Sequence, residues 1–361
     1  MQSQITDSYI KLSTPYAIYS GKLGIFDLDS TIIKPKKGKT PRNPYSDYIY
    51  CYPNVINKLK EYSKNLYQIV IITNQKVLKT EKNKLDWIEK INKIQSEIGI
   101  KLIVLAALRD DSYRKPRTGF LEFIQPNSES FFCGDALGRM SDYSDSDLKF
   151  ALNLNIRCLS PEFVFKNEVE LSSSNIVNVQ INYAPVYKLN YYKTFRYFNF
   201  EVNSEVIIMV GIQGSGKSLL SKWIQQQNAF MMYDIISRDV EGTMKKCLNK
   251  MEKLIQAGHN IIIDNTNPTM KSRKPYIELA KKYGYDVKII NFTRVCDDYN
   301  MAQHNNYYRH LNFGSPLIPN VALYKFLKEY EEPDYKEDVD DIIFISYMLP
   351  TLEKDYFKYW Y

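Results

Sequence analysis

The sequence predicts an α/β protein of two domains, each a mostly parallel sheet with flanking helices. Three observations carry that expectation. Short apolar runs alternate with helix-spaced segments up to about Ser160, the same alternation resumes after residue 200, and a stretch rich in Asn, Tyr and Ser from Ser160 to Ser204 lies between them. Strand–helix alternation builds parallel sheets, because the chain must cross back over the sheet before the next strand can begin. Such sheets place chemistry beyond the carboxyl ends of their strands.

In chain order, Leu23–Phe26, Gln68–Ile72, Leu102–Leu105 and Ser130–Cys133 read as buried strands of the first domain. Between two of them, Lys84–Ile98 has helical apolar spacing at Leu85, Ile88, Ile91 and Ile94. Val206–Val210, Ile261–Ile263, Val287–Phe292 and Ile342–Ile345 are the strands expected in the second domain. The expected boundaries are 1–165 for the first domain, 166–203 for a junction and 204–361 for the second domain. Within the junction, Tyr191–Phe200 interleaves aromatics with Lys193 and Arg196. Such runs stack bases in single-strand platforms, but packing between domains is the expectation here.

The 44% hydrophobic content excludes wholesale disorder. Lys and Arg number 48 against 41 Asp and Glu, a net charge of +7 that suits a polyanionic partner. The cysteines Cys51, Cys133, Cys158, Cys247 and Cys296 are odd in number and widely spaced, which argues against a disulfide framework or a zinc site and for a reducing, intracellular compartment. No apolar run approaches the ~20 residues that span a bilayer. The polar N-terminus offers no signal core, and Lys34-Pro35-Lys36-Lys37 reads as solvated loop charge rather than a nuclear targeting signal.

The second half carries Gly211-Ile-Gln-Gly214-Ser215-Gly216-Lys217-Ser218 between an apolar strand and a helix expected over Leu219–Ile224. This is the P-loop pattern: glycines admit close backbone approach to phosphates, and amides at the helix N-terminus bind the anion. Lys217 is expected to meet the β and γ phosphates of ATP, and Ser218 to hold Mg²⁺. Asp239 of Arg238-Asp239 is placed to accept a hydroxyl proton, with helix capping as the structural alternative. Asp264-Asn265-Thr266-Asn267-Pro268 follows the strand at Ile261–Ile263, and Arg309 of His304-Asn305-Asn306-Tyr307-Tyr308-Arg309 lies on an expected helix, where it could clamp a transferring phosphoryl group.

In the first half, Asp27-Leu28-Asp29 directly follows the strand Leu23–Phe26. Two carboxylates at this spacing divide labour: one attacks phosphorus, and the other protonates the leaving oxygen and then activates water. Thr73-Asn74, Lys115-Pro116 and Gly134-Asp135 supply a hydroxyl and amides, a cation and a metal carboxylate, each at a strand end or in a loop.

The ordered second set resembles the kinase domain of the polynucleotide kinase 3′-phosphatase family over about residues 205–345. The first set resembles that family's haloacid-dehalogenase-type phosphatase domain, down to Tyr113-Arg-Lys-Pro116, Asp142-Tyr-Ser and Phe150-Ala-Leu-Asn153. The resemblance implies Asp27 as nucleophile, Asp29 as acid/base, and Thr73, Asn74 and Lys115 as phosphate ligands. It implies Mg²⁺ on Asp27, Asp29 and Asp135, with Asp142 and Asp147 as supporting carboxylates. In the kinase half it implies Asp239 as general base, Asp264 beside the nucleotide, and a lid arginine at Arg309, with Arg273 as second candidate because Tyr307 stands where an arginine follows His-Asn-Asn in family members resembling the animal enzymes. Ser30 also departs from the family's glycine.

The function implied is removal of 3′-phosphates and ATP-dependent phosphorylation of 5′-hydroxyls on nucleic-acid ends. DNA is favoured, and RNA ends or a small-molecule kinase–phosphatase fusion are the alternatives. The partners implied are nucleic acid and a ligase or other repair proteins, in the nucleus by resemblance, with the cytoplasm the alternative. Neither a membrane nor a phosphopeptide-binding forkhead-associated domain is expected. The oligomeric state is left open. Every acid, hydroxyl and lysine that the chemistry needs is present, which argues against an inactive scaffold.

Overall fold

A computed structural model describes residues 1–36, 48–167, 204–227, 232–292, 298–345 and 354–361. The chain forms two units, Met1–Ile181 with Lys358–Tyr361, and Asn182–Phe357. The last four residues thus join the first unit rather than the second, where the sequence expectation put them. The aromatic–basic run Tyr191–Phe200 lies outside the described residues.

The first unit is built on a seven-stranded sheet of β1 (Gln2–Ile5), β2 (Tyr9–Ser13), β3 (Leu23–Phe26), β4 (Gln68–Asn74), β5 (Leu102–Ala107), β6 (Phe131–Cys133) and β7 (Arg157–Leu159), in spatial order β1-β2-β5-β4-β3-β6-β7. From β5 to β7 all neighbours are parallel, and β1 and β2 add an antiparallel edge. Side chains alternate across a strand, so Leu23 and Ile25 enter one core and Phe26 the other. Both faces are therefore covered, as an apolar strand without polar alternation requires. The helix Glu81–Ile98 starts at Thr80, whose side chain accepts from Asn83 N–H, and ends at Gly99 with φ +70°. It buries Trp87, Ile91, Ile94 and Ile98, while Leu85 is 57% exposed. The apolar spacing alone had put Leu85 on the buried face. The buried stripe runs instead through Lys84, Trp87, Ile91, Ile94 and Ile98.

The second unit has five parallel strands, β8 (Glu205–Val210), β9 (Tyr233–Ile236), β10 (Asn260–Ile263), β11 (Asp286–Asn291) and β12 (Asp341–Phe344), in order β9-β10-β8-β11-β12. The P-loop follows β8, the central strand, and runs into the helix Lys217–Gln227. Val206, Ile208 and Val210 face one core, and Ile207 and Met209 the other.

Arg273, on the helix Met270–Lys282, is fully buried at 0% exposure. Its Nε and Nη2 donate to the two carboxylate oxygens of Glu337 at 2.7 and 2.6 Å, and its Nη1 donates to the carbonyls of Asn267 and Glu331 at 3.1 and 3.0 Å. Removing one member of a buried, hydrogen-bonded pair strands the other charge. Arg273→Met should therefore destabilise the second unit by about 3–5 kcal/mol. The check is the shift in its denaturant midpoint. An unshifted midpoint would contradict the structural assignment of Arg273.

Candidate active sites

The first site grows from the ends of β3, β4 and β6. Asp27 is the first residue after β3, and its N–H donates to the Cys133 carbonyl at 2.8 Å, fixing it where β3 and β6 end side by side. Ser30 holds φ +64° and donates its N–H to the Ile33 carbonyl at 2.7 Å. Glycine enters this left-handed region freely, whereas another residue gives up about 1–2 kcal/mol. The loop thus keeps a backbone path suited to glycine with serine in place.

Lys115 is 3% exposed, and its Nζ lies 2.6 Å from Asp27 Oδ1 and 2.7 Å from Asp147 Oδ1. Burial alone would lower the lysine pKa. The Asp147 and Asp27 carboxylates overcome it and hold the ammonium above its usual range. Burial pushes the Asp27 carboxyl up, Lys115 pulls it back, and the charges of Asp147 and Asp29 push it up again. Burial, then Asp147, raises Asp135 to about 6. Ligand oxygens of Asp27, Asp135 and Asp147 all lie within 4.8 Å of one another. Three crowded carboxylates against one ammonium fit a hard divalent cation with oxygen preference.

Asp147 stands in this cluster, where the sequence placed Asp29. The carboxylate of Asp29 is instead turned to Gln75, whose Nε2 donates to it at 2.6 Å and to Thr73 Oγ1 at 3.0 Å. Asn74 also differs from expectation in its side chain. Its Oδ1 accepts from Lys115 N–H at 3.0 Å and its Nδ2 donates to the Lys115 carbonyl at 3.2 Å, so it positions the cation. Asp142 accepts from the N–H groups of Leu137 and Arg139 at 3.0 and 3.1 Å and shapes the loop after Asp135. Gln75 and Thr31, which donates to Asp135 at 3.3 Å, had no assigned role in the sequence. The period-2 spacing of Thr73 and Gln75 was the available signal.

The second site surrounds the P-loop. Gly214 and Gly216 take φ +85° and +96°, conformations that L side chains avoid. Lys217 Nζ donates to the carbonyls of Gly211 and Ile212 at 2.8 and 2.7 Å, and burial lowers its pKa to about 8. Each member of the Asp264–Asn267 run has its own task. Burial raises the Asp264 carboxyl, and Ser218 and Lys217 pull it back. Asn265 Oδ1 accepts from Arg238 N–H at 2.8 Å, setting the start of the short helix that carries Asp239. The Thr266 carbonyl accepts from Gly211 N–H at 3.1 Å, and Asn267 Nδ2 donates to the Met209 carbonyl at 2.8 Å, both bracing the loop.

His304, Asn305 and Asn306 act as a frame on the helix Asp298–Phe313. A ring nitrogen of His304 meets the Tyr356 carbonyl at 2.7 Å, Asn305 Nδ2 donates to the Gly214 carbonyl at 2.7 Å, and Asn306 Nδ2 donates to the Ile318 carbonyl at 2.7 Å. One turn on, Arg309 is half-buried; its Nε has no hydrogen-bond partner among the described residues, and its Nη2 is 3.5 Å from Asn306 Oδ1. Burial lowers its pKa against the pull of Asp239. Arg309 lines one cleft with Lys217, Ser218, Arg238, Asp239 and Asp264. Arg273, the other candidate, is spent on Glu337.

Residues 22–165 match the family model described as polynucleotide kinase 3 phosphatase, and residues 206–306 match one described as an AAA domain. A bifunctional polynucleotide phosphatase/kinase of Schizosaccharomyces pombe is 27% identical over 370 residues, covering 100% of this chain and 88% of that protein. A protein of Acanthamoeba polyphaga mimivirus named for the same pair of activities is 29% identical over 391 residues, covering 95% of this chain and 89% of its own. The polynucleotide 3′-phosphatase ZDP of Arabidopsis thaliana is 28% identical over 170 residues, covering 40% of this chain and 24% of that protein.

The lowered Lys217 gives a pH signature. A nucleoside triphosphate needs the ammonium form, so binding above pH 8 must first protonate the lysine. Affinity should be level below that pH and fall up to about tenfold per unit above it. Calorimetric titration in two buffers of different ionisation heat should show proton uptake on binding near pH 8. Affinity that does not change with pH would contradict the burial of Lys217.

Proposed function

We propose that this chain, which joins a polynucleotide kinase 3′-phosphatase domain to a P-loop kinase domain, removes 3′-phosphates from nucleic-acid ends and phosphorylates 5′-hydroxyl ends with ATP. The observation that carries this reading is that each unit draws acidic and basic side chains together: Asp27 with Lys115 in one, and Lys217, Asp264 and Arg309 around one cleft in the other. A lone set would support only half of it.

In the phosphatase reaction, an Asp27 carboxylate oxygen attacks the 3′-phosphorus while Lys115 and Thr73 hold the phosphate oxygens. The bond to the 3′-oxygen breaks, and Asp29, held by Gln75, gives that oxygen its proton. Asp29 then takes a proton from water, which attacks the acyl phosphate and returns Asp27 and free phosphate. Mg²⁺, fitted by the carboxylates of Asp27, Asp135 and Asp147, would offset the charge of the incoming phosphate. In the kinase reaction, Asp239 accepts the proton of the 5′-hydroxyl as the hydroxyl oxygen attacks the γ-phosphorus, and the bond from that phosphorus to the β–γ bridging oxygen breaks to release ADP. Lys217 and Arg309 hold the charge of the transferred group, and Ser218 and Asp264 fit the metal that accompanies ATP.

The products, a 3′-hydroxyl and a 5′-phosphate, are the ends that a ligase joins. DNA ends are the substrate in this reading, with RNA ends open to the same chemistry. Matched DNA and RNA oligonucleotides bearing both a 3′-phosphate and a 5′-hydroxyl, incubated with Mg²⁺ and labelled ATP, decide between them. An absence of either activity on both polymers contradicts the proposal.

The two reactions should separate by mutation. Asp27→Asn, which cannot form an acyl phosphate, should abolish 3′-phosphate release and leave 5′ phosphorylation near normal; Lys217→Ala should do the reverse. Arg309→Ala should lower kinase turnover by about 10³-fold or more, as expected of an arginine that stabilises transferring phosphoryl charge, with the denaturant midpoint unchanged. A kinase silenced by Asp27→Asn in a folded protein would contradict the separation.

A further inference from the structure

Asn153, in the motif Phe150-Ala-Leu-Asn153, takes no part in the chemistry above, yet it is heavily engaged. It lies on the helix Ser146–Leu154, which also carries Asp147, the carboxylate that grips Lys115. Its Nδ2 donates to the Pro116 carbonyl at 2.8 Å, immediately after Lys115 in the chain. The same Nδ2 donates to the Tyr359 carbonyl at 2.8 Å, and its Oδ1 accepts from Tyr359 N–H at 2.7 Å. Next along the loop, Arg117 is buried at 3% exposure; its Nε donates to the Trp360 carbonyl at 2.6 Å and its Nη1 to the Asp111 carbonyl at 2.7 Å. Lys149, on the same helix as Asn153, donates to a Tyr361 backbone oxygen at 3.2 Å and sits over the Tyr361 ring.

From this we infer that the segment Lys358–Tyr361 is a positioning clasp for the phosphate-binding lysine of the phosphatase site. The inference rests on Lys115 being the phosphate ligand. The clasp acts on both sides of that lysine. Through Arg117 and Asn153 it fixes the backbone just after Lys115, and through Asn153 and Lys149 it holds the helix that supplies Asp147. An amide side chain has two donor hydrogens and two acceptor lone pairs. Tyr359 occupies part of both capacities of Asn153, leaving the amide one orientation in which Nδ2 also reaches Pro116. Without Tyr359 the amide can turn, and the Pro116 carbonyl loses a fixed donor. Asn153 and Arg117 are positioning residues; they touch no reacting atom.

Small displacements of a positioned group are expensive in phosphate recognition, where an ångström can cost up to about 10²-fold. Removing Lys358–Tyr361 should raise the KM for a 3′-phosphorylated oligonucleotide and the inhibition constant of inorganic phosphate by about tenfold each, with kcat changed far less. The kinase rate of the same protein serves as its internal control and should hold. Arg117→Met and Asn153→Ser, each short of the full truncation, should shift the same two constants in the same direction. Trp360→Phe should shift them far less than the truncation, because it keeps the backbone carbonyl that accepts from Arg117.

Unchanged KM and phosphate inhibition in the truncated protein would overturn the clasp, as would parallel losses of kcat, kinase rate and thermal midpoint, which mark a general folding role. Failure of the underlying reading looks different: the full chain itself would release no 3′-phosphate, or Lys115→Met would leave phosphate inhibition intact.

Discussion

A charged lysine in a dry pocket is tolerable only beside carboxylates, and Lys115 with its two aspartates sets the design of the first unit. Burial would otherwise favour the neutral amine. The requirement reaches well beyond the pocket. Asp27 must end β3 next to β6, Asp147 must start a helix directly behind Gly134, and Gly134 must lack a side chain. A Cβ built there would lie 2.2 Å from Asp147 Oδ2. Asn74 then holds the lysine backbone from the neighbouring strand. Each residue is chosen by the one before it.

The lysine of the second unit solves the same problem in the opposite way. Lys217 is also buried, but its hydrogen bonds run to the P-loop carbonyls of Gly211 and Ile212, and its charge is only marginally kept near neutrality. A triphosphate brings the missing negative charge. Fixed acids hold Lys115 above its usual range, whereas burial holds Lys217 below it. Arg309 lines the same cleft as Lys217 with its Nε unpartnered among the described residues, in contrast to Arg273, whose Nε and Nη2 both donate to Glu337.

Much of this was legible from the sequence, for identifiable reasons. Strands buried on both faces write themselves as unbroken apolar runs, such as Leu23–Phe26 and Val206–Val210. Asp27 and Asp264 directly follow such runs, so their placement came with the strands. Strands β1, β7 and β9 left weaker marks. Gln2–Ile5 is exposed along its length, Arg157–Leu159 is three residues long, and Tyr233–Ile236 is only half-buried in its middle. Tertiary pairing was harder to read. That Asn74 serves Lys115, that Asn265 serves Arg238, and that Asp147 rather than Asp29 joins the carboxylate cluster depend on which loops meet in space, and no local pattern encodes that.

The central claim is that two phosphoryl groups take two separate routes through one chain. The most direct measurement follows the phosphorus. One oligonucleotide with an isotopically marked 3′-phosphate and a 5′-hydroxyl is mixed with ATP marked differently at the γ position, and the reaction is quenched in acid. The account predicts that the 3′ mark passes transiently through a covalent adduct on Asp27 to free phosphate, while the γ mark appears on 5′ ends and never on the protein. Recovery of the γ mark on the protein, or of the 3′ mark at a 5′ end, would contradict it.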